Sequence, residues 1–433
     1  MEYQEIIHTI ESKRRFGNLP GVEISRKLLA AADNPQKDLA FVHIAGTNGK
    51  GSTAAFLHAV LKEAGMKTGL FTSPHLMDFR ERIRINGERI PKQEAARLGQ
   101  FLLDIDVGVQ PTMFDYCFVM ALLYFKEQGC EIVILETGLG GRLDATNAID
   151  APLVSIITGI GYDHTSVLGQ TLSEIASEKA GILKKGTRAV LGSQKPEAEA
   201  VLRKRCNQFA IPFRKVETEQ ILPSEDGFSY PGEQPYQMKM IGNFQYENAM
   251  AAILAARELG RLGYPVTKQA LHRGIAEAVW EGRMEIVSQK PFLLIDGAHN
   301  TDGVAALMHS LKELYPDEKF HFIVGVLADK DYQTMVDLAL PLAAGVTAVT
   351  PESERALAGE ELSAYIREKG ICADSCQSVR EAMEIFMERG KRQDIERKTV
   401  AFGSLYFIGE MKRELEKRKK MDENDHLSSI CIL

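Results

Sequence analysis

An apolar, β-rich run, Leu39-Ala-Phe-Val-His-Ile-Ala45, meets a glycine-rich turn at Gly46–Gly51, and a helical pattern follows from Ser52 to Ala64. No other stretch limits the possible folds so strongly. A strand that is apolar without alternation needs cover on both faces, which a mostly parallel sheet flanked by helices supplies. The turn also has chemical content. Glycines let backbone N–H groups close around an anion, the helix N-terminus adds a positive field, Lys50 adds a point charge, and a hydroxyl of Ser52 or Thr53 can face a divalent cation. The pattern departs from the strict P-loop because Gly51 follows the lysine. A purely structural turn needs neither the lysine nor the paired hydroxyls, so the stretch reads as a phosphate cradle for a nucleotide.

The alternation recurs along the chain. Thr68–Phe71, Glu131–Leu135, Val154–Thr158 and Arg188–Gly192 read as strands, and Ala95–Leu103, Tyr116–Glu127, Glu197–Phe209 and Asn248–Leu259 as helices. After Trp280-Glu-Gly-Arg283 the pattern restarts with the strand Phe292–Asp296 and continues as a second α/β unit to the strand Thr399–Phe402. With 433 residues, the chain exceeds the roughly 100–200 of one typical domain. The predicted class is α/β: a P-loop-type, mostly parallel sheet domain over residues 1–288 and a smaller Rossmann-like α/β domain over 289–433.

Composition excludes several roles. Hydrophobic residues at 45% and charged residues at 26% give an ordinary globular balance, and the net charge of −7 lacks the Lys/Arg excess that nucleic-acid binding requires. No run of about 18 uncharged apolar residues suggests a membrane span, and the N-terminal residues lack a signal-peptide core, so a cytoplasmic protein is expected. The six cysteines, Cys117, Cys130, Cys206, Cys372, Cys376 and Cys431, are scattered and read as reduced, mostly buried thiols. The charged tail from about Lys412 reads as a solvated, fraying helix end.

Three further places sit where ligands bind, at the carboxyl ends of parallel strands. Glu136 follows the strand Glu131–Leu135 and suits a metal-bridging carboxylate, although a capping or surface acid fits the same position. Asp163-His164 follows Val154–Thr158, and a histidine there is as readily structural as functional. Ser173–Ile182 reads as an N-capped helix running to the same edge. Its Glu178-Lys179 pair is either a solvated face or, in an enzyme that builds charge on phosphate oxygens, a functional lysine, even one carbamylated to give a carboxylate for a second metal.

Taken together, Gly46-Thr-Asn-Gly-Lys-Gly-Ser52, Ser73-Pro-His-Leu76, Glu81-Arg-Ile83, Leu139-Gly-Gly-Arg-Leu-Asp-Ala-Thr-Asn147, Asp163-His164, Glu178-Lys-Ala-Gly181, Trp280-Glu-Gly-Arg283, Asp296-Gly-Ala-His-Asn300 and Gly403-Ser-Leu-Tyr406 resemble the folylpolyglutamate synthase and dihydrofolate synthase family of the Mur ligase superfamily. The strings fall in family order over nearly the whole chain. The resemblance implies ATP in a cleft between the domains, with phosphates on Gly49, Lys50, Gly51, Ser52 and Thr53 and with Asn248, Arg283 and Asp296 as further nucleotide contacts. It implies Mg²⁺, as one ion or two, on Ser73, Glu136 and His164, with Lys179 at the family's carbamylated position. His299 and Ser404 are similar to positions near the incoming glutamate, and Arg82, Phe114 and Asp144 to positions near the pterin. Lys50, Lys179 and His299 form the expected catalytic set.

The implied activity is an ATP-dependent ligase that adds L-glutamate to a folate, with dihydropteroate accepted as well because Leu143-Asp-Ala-Thr-Asn147 resembles the bifunctional members. Small molecules are the expected partners, with no nucleic acid, no membrane and a monomeric chain. The chemistry needs a leaving group on the folate carboxylate, which phosphorylation by ATP provides, and exclusion of water from the acyl phosphate, for which a hinge near Glu281–Gln289 is expected. Two alternatives stand beside it. A P-loop regulatory switch explains Lys50 and Glu136 but leaves the second domain's motifs without work, and another Mur-type amino-acid ligase needs an extra substrate domain for which the 38 residues before the first strand leave no room.

Overall fold

The computed structural model describes residues 2–13, 22–391 and 397–430, and Cys431 lies outside them. The chain divides into two units, one of residues 1–239 with 243–279 and one of 240–242 with 280–433. The sequence places the boundary near Gln289, whereas the division falls at 279/280. The reason is the strand Glu285–Gln289, which pairs antiparallel with Phe292–Ile295 and so belongs to the second unit's sheet. Much of the segment expected to be a hinge is therefore ordered strand.

The first unit begins with two short helices, α1 (Tyr3–Glu11) and α2 (Glu23–Ala31), that the sequence reading left unassigned. Its main sheet contains β1 (Phe41–Ala45), β2 (Thr68–Phe71), β3 (Ile83–Ile85), β4 (Glu88–Arg89), β5 (Ile132–Glu136), β6 (Val154–Ile157), β7 (Arg188–Leu191) and β8 (Phe213–Lys215), in the order β4-β3-β2-β5-β1-β6-β7-β8. Only β3 is reversed, pairing antiparallel with both β2 and β4. The helices are α3 (Lys50–Glu63), α4 (Lys92–Leu103), α5 (Met113–Glu127), α6 (Thr165–Leu168), α7 (Leu172–Lys179), α8 (Pro196–Gln208), α9 (Phe244–Arg261) and α10 (Lys268–Glu277). A small three-stranded sheet of β9 (Leu222–Ser224), β10 (Gly227–Ser229) and β11 (Tyr236–Gln237) precedes α9.

Burial follows the pattern that the sequence carries. Every residue of β1 and β5 is buried, as a central strand covered on both faces must be. One cluster joins Ile6, Ile10, Leu28 and Leu29 of the first two helices to Leu98, Phe118 and Phe125 and to Phe41, Phe71 and Leu135 of the sheet. At about 1.5–3 kcal/mol per large side chain fully buried, α1 and α2 are held by packing, since helices this short are marginal alone. A second cluster packs Ile175 and Ala176 of α7 and Leu202 of α8 against Ile157, Ala189 and Leu191. Thr112 with Asp115 and Thr171 with Glu174 form capping boxes that fix where α5 and α7 begin.

The second unit has a six-stranded sheet, in the order β12-β13-β17-β14-β15-β16, from β12 (Glu285–Gln289), β13 (Phe292–Ile295), β14 (Phe320–Val324), β15 (Ala343–Val349), β16 (Ala373–Cys376) and β17 (Thr399–Phe402). All but β12 are parallel. Helices α11 (Thr301–Leu314), α12 (Tyr332–Ala339), α13 (Gly359–Glu368), α14 (Val379–Lys391) and α15 (Leu405–Ile430) complete it. The predicted α/β class, with a larger parallel sheet followed by a second α/β unit, is what the chain adopts. The tail reading needs correction at its start: Lys412 is largely buried and its Nζ donates to Glu281 at 2.7 Å and Glu285 at 2.8 Å, because α15 packs beside β12. Cys117, Cys130, Cys206 and Cys376 are buried free thiols and Cys372 is exposed. No helix among the described residues is long and apolar enough to cross a membrane.

Candidate functional site

The glycine turn lies between the central strand β1 and α3, whose first residue is Lys50, two residues earlier than the helical pattern suggests. Gly49 sits at φ +86°, and a Cβ there would approach the Asn248 Oδ1 to 2.2 Å, so the backbone and the α9 side chain both require glycine. No side chain caps the start of α3. The turn is stitched to the segment after β6: Thr47 N–H donates to the Gly159 carbonyl at 2.8 Å, Thr47 Oγ1 exchanges bonds with Gly161, and Thr158 Oγ1 donates to the Asn48 carbonyl at 2.7 Å. Gln194 ties that segment down, donating to the Thr158 carbonyl and accepting from Ile160 N–H.

Two lysines converge on this turn. Lys50 Nζ donates to the Gly46 and Thr47 carbonyls, each at 3.1 Å, and Lys179 Nζ donates to the same Gly46 carbonyl at 2.8 Å. Lys179 closes α7 and is only 3% exposed, so its helix end is no solvated face. Burial, reinforced by the Lys50 charge and opposed by Asp163 and Asp144, pushes its amine down to about 7. Its neighbour Glu178 is the residue turned outward, paired with Arg142 at 2.8 Å. Ser52 is buried at the start of α3, and Thr53 is fully buried with an Oγ1 that has no partner.

Glu136 ends β5 and is nearly inaccessible, and its Oε2 accepts from Ser73 N–H at 3.2 Å. The pair thus places a carboxylate against the residue whose hydroxyl was expected to join it. His164 stands on the loop after β6 at φ +50°, half-exposed, with Nε2 3.9 Å from Asp163. Among the described residues no three His, Cys, Asp or Glu side chains gather closely enough to hold a metal by themselves. Carboxylate and hydroxyl oxygens suit Mg²⁺, which binds through one or two carboxylates, water and phosphate and does not need an all-protein cage. The donor set at Ser73 and Glu136 fits that ion.

Arg82, Phe114 and Asp144 occupy the neighbouring part of this unit. Arg82 is 4% exposed and donates from Nε to His75 Nδ1 at 2.9 Å. Phe114 packs over Gly138 and lies 5.6 Å from the Phe71 ring. Asp144 is buried inside its own loop, accepting from Leu139 N–H at 2.8 Å and from Thr146 N–H and Oγ1 at 3.0 and 2.5 Å, so it shapes the loop directly. Burial raises its carboxyl above the usual range against those bonds. Thr146 also meets His43 Nε2 at 2.8 Å. Burial holds the His43 imidazole down at about 3, neutral at any ordinary pH.

In the second unit, Asp296 ends β13 and accepts from Met284 and Ala298 N–H groups, each at 2.8 Å. Burial raises its carboxyl while the nearby Arg283 lowers it. The Arg283 guanidinium lies over Gly297, where a Cβ would come within 2.5 Å of Nη1. His299 Nδ1 is 2.8 Å from the Gly297 carbonyl, and Gly403 N–H donates to the Ala298 carbonyl, which brings Ser404 beside this turn. Ser404 is 2% exposed, and its Oγ accepts from Phe407 N–H at the start of α15.

The expected residues therefore form two groups. Gly49, Lys50, Gly51, Ser52, Thr53, Asn248 and Lys179 surround the first unit's turn, with Ser73 and Glu136 at the ends of the neighbouring strands. Arg283, Asp296, His299 and Ser404 gather at the carboxyl ends of β13 and β17. Sequence reasoning assigned no role to the framework: Thr47, Thr158 and Gln194, and Glu81, which accepts from Leu76 N–H at 2.8 Å and Asp78 N–H at 3.0 Å to close the loop carrying Ser73. Only Glu81 had a readable signal, since Asp78 and Glu81 have capping-box spacing.

Comparison with known proteins agrees with this division. Residues 44–256 match the Mur ligase middle domain and residues 282–395 the Mur ligase glutamate ligase domain. The chain is 35% identical to the dihydrofolate synthase/folylpolyglutamate synthase of Bacillus subtilis, covering 96% of this chain and 99% of that one. It is 32% identical to the folylpolyglutamate synthase of Lacticaseibacillus casei, covering 96% and 99%. The solved structure of E. coli FolC in complex with DHPP and ADP superposes with a TM-score of 0.85 at 27% identity, over 97% of this chain and 99% of that one.

Proposed function

The chain belongs to the dihydrofolate synthase/folylpolyglutamate synthase family of Mur ligases, and from that premise we propose that it is an ATP-dependent folate–glutamate ligase acting on both dihydropteroate and tetrahydrofolate. The observation that carries the reading is the uncapped α3 turn with two lysines on one carbonyl. Such a turn offers backbone N–H groups and the Lys50 charge to a phosphate chain.

The reaction begins with transfer of the ATP γ-phosphoryl group to the folate carboxylate. Charge spreads over the equatorial oxygens in that step, and Lys50 with the N–H groups of Gly49, Gly51 and Ser52 is positioned to stabilise it. Asn248, adjacent to Gly49, orients the nucleotide on the turn. Mg²⁺ held by Ser73 and Glu136, with His164 as a further contact, would neutralise phosphate charge when bound. The α-amine of L-glutamate, which His299 and Ser404 are proposed to orient in the second unit, then attacks the acyl carbon, forming the amide bond as inorganic phosphate leaves and the amine gives up a proton, while Arg283 and Asp296 serve the nucleotide. Arg82, Phe114 and the Asp144 loop are proposed to receive the pterin.

Lys179 has a separate role. Only a neutral amine reacts with CO₂, and an amine with a value near 7 is substantially neutral at physiological pH. Its carbamate would turn a buried cation into a carboxylate beside the phosphate turn. The bifunctional reading draws support from the relative in Bacillus subtilis, which carries both names. Mass analysis of reactions containing ATP, Mg²⁺ and glutamate, with dihydropteroate or tetrahydrofolate, tests it. A glutamate increment on both is expected; an increment on tetrahydrofolate alone removes the dual activity, and ATP consumption without any increment revives the switch.

A further inference from the structure

On the first unit, away from the phosphate turn, a cleft of about 420 Å³ opens between the end of α8, the edge strand β8 and the later turns of α9. Five cations line it, Arg203, Arg214, Lys215, Arg257 and Arg261, against the single lining carboxylate Glu217. In a chain of net charge −7 this is an unusual local excess. Glu233 is paired with Arg257, and the other carboxylates that brace the cations are shared. Buried Glu258 accepts from Arg188 at 2.8 Å and Arg214 at 3.3 Å and also from Arg261, while Glu199 serves both Arg203 at 2.7 Å and Lys215 at 3.0 Å. Three guanidinium forks on two carboxylate oxygens leave N–H donors over. Arg214 and Arg261 remain about half exposed, at 55% and 48%, so those donors face solvent. Beyond burial, the charges of Arg214, Arg188 and Arg257 hold the Arg261 guanidinium below its ordinary value, as crowded like charges do.

Two features select among anions. The cations are spread along two elements and do not converge on one point as a phosphate nest does. β8 is also an edge strand of its sheet, with no strand partner among the described residues on its outer side, so it can offer backbone hydrogen bonds to amide groups. A flexible chain bearing repeated carboxylates and amides matches both. The register places the Lys215 end of the cleft on the same edge of the sheet as the phosphate turn: Ala45 aligns with Ile157, Ile157 with Leu191, and Leu191 with Lys215, three strand spacings or roughly 14 Å at about 4.8 Å each. The Glu258 cluster lies toward the other edge, since its partner Arg188 opens β7.

We propose that this cleft is a secondary site for the oligo-γ-glutamyl tail of a long-chain folate, holding product on the enzyme through its α-carboxylates. This rests on the ligase reading, and the test separates the two. Binding of free tetra-γ-glutamate, which has no pteridine, is measured by calorimetry on the full chain at low and high salt, alongside glutamate addition to monoglutamyl tetrahydrofolate. The double variant Arg203→Gln/Lys215→Gln removes one exposed and one partly exposed cation and leaves only the partly exposed Glu199 unpaired; Arg257→Gln is a second, independent variant. Each is expected to weaken tetra-γ-glutamate binding about tenfold, as losing one or two charge-assisted contacts does, with KM and kcat for the monoglutamate unchanged. Wild-type binding should fall with salt. Equal binding by wild type and both variants, or equal displacement of the tail by tripolyphosphate, overturns the proposal. Absence of glutamate addition by the wild type strikes the ligase reading instead and leaves the binding comparison intact.

Discussion

The two units each present a strand, a turn and a helix at the carboxyl edge of a parallel sheet, and they finish the helix start in opposite ways. In the second unit the turn after β13 satisfies itself: Asp296 takes the Met284 and Ala298 N–H groups, and Asn300 caps α11 by accepting from Gly303 N–H at 2.8 Å. In the first unit Gly49 offers no side chain, and the start of α3 has no side-chain cap. A helix start left open beside two lysines is prepared for an external anion, whereas one closed by its own asparagine has its dipole already answered. Similar backbone plans thus separate into an open helix start and one closed by its own side chain.

Replacing Lys50 with Met attacks the open side of this contrast most directly. The expected loss is about 100- to 1000-fold in the rate of ADP formation, the scale for removing one preorganised charge contact in a phosphoryl or acyl transfer site. A change below fivefold would mean that the open turn works without its lysine. Converting the first turn toward the second by Gly49→Asp supplies an internal carboxylate and forces a Cβ against Asn248. ADP affinity should drop by at least about tenfold, and unchanged titration curves would erase the distinction between the turns.

Lys179 sharpens the comparison through pH. Its folded value of about 7 lies below the ordinary 10.5, so the cost of burying the cation is felt fully below pH 7 and fades as pH rises toward the unfolded value. Activation by added bicarbonate should accordingly grow as pH rises through about 7 and vanish in Lys179→Gln; a CO₂ response identical at pH 6 and pH 8 would remove the carbamate. The smallest effect belongs to the self-satisfied turn. Asn300→Ala should cost about 1 kcal/mol in thermal or urea unfolding, as the loss of an N-cap does, while ADP affinity stays unchanged.

The segments behind this contrast were legible beforehand because they are local in sequence, although the open and the closed helix starts themselves were not read. A central strand, a glycine turn and a lysine are consecutive, and Glu136 and Asp296 each stand at the end of an apolar run. What stayed hidden depends on distance along the chain. The bond from Lys179 to Gly46 spans 133 residues, and the bond between His43 and Thr146 spans 103. No periodicity encodes such meetings. The strands β9 to β11 were missed because they are two or three residues long and partly polar, as at Leu222–Ser224, where every residue is exposed. The domain boundary shifted for a related reason: Glu285–Gln289 is only half-buried and carries weak apolar alternation, so its membership in the second sheet is set by pairing with Phe292–Ile295.

The carbonyl of Gly46 has a wider consequence. Lys50 and Lys179 both donate to it, so in the proposed ligase an arriving phosphate enters by exchange: it competes with peptide oxygens for Lys50 hydrogens that are already engaged. On the proposed reading, nucleotide affinity is a difference between two sets of bonds to Lys50, and a substitution that weakens the resting set is expected to tighten the nucleotide without touching it.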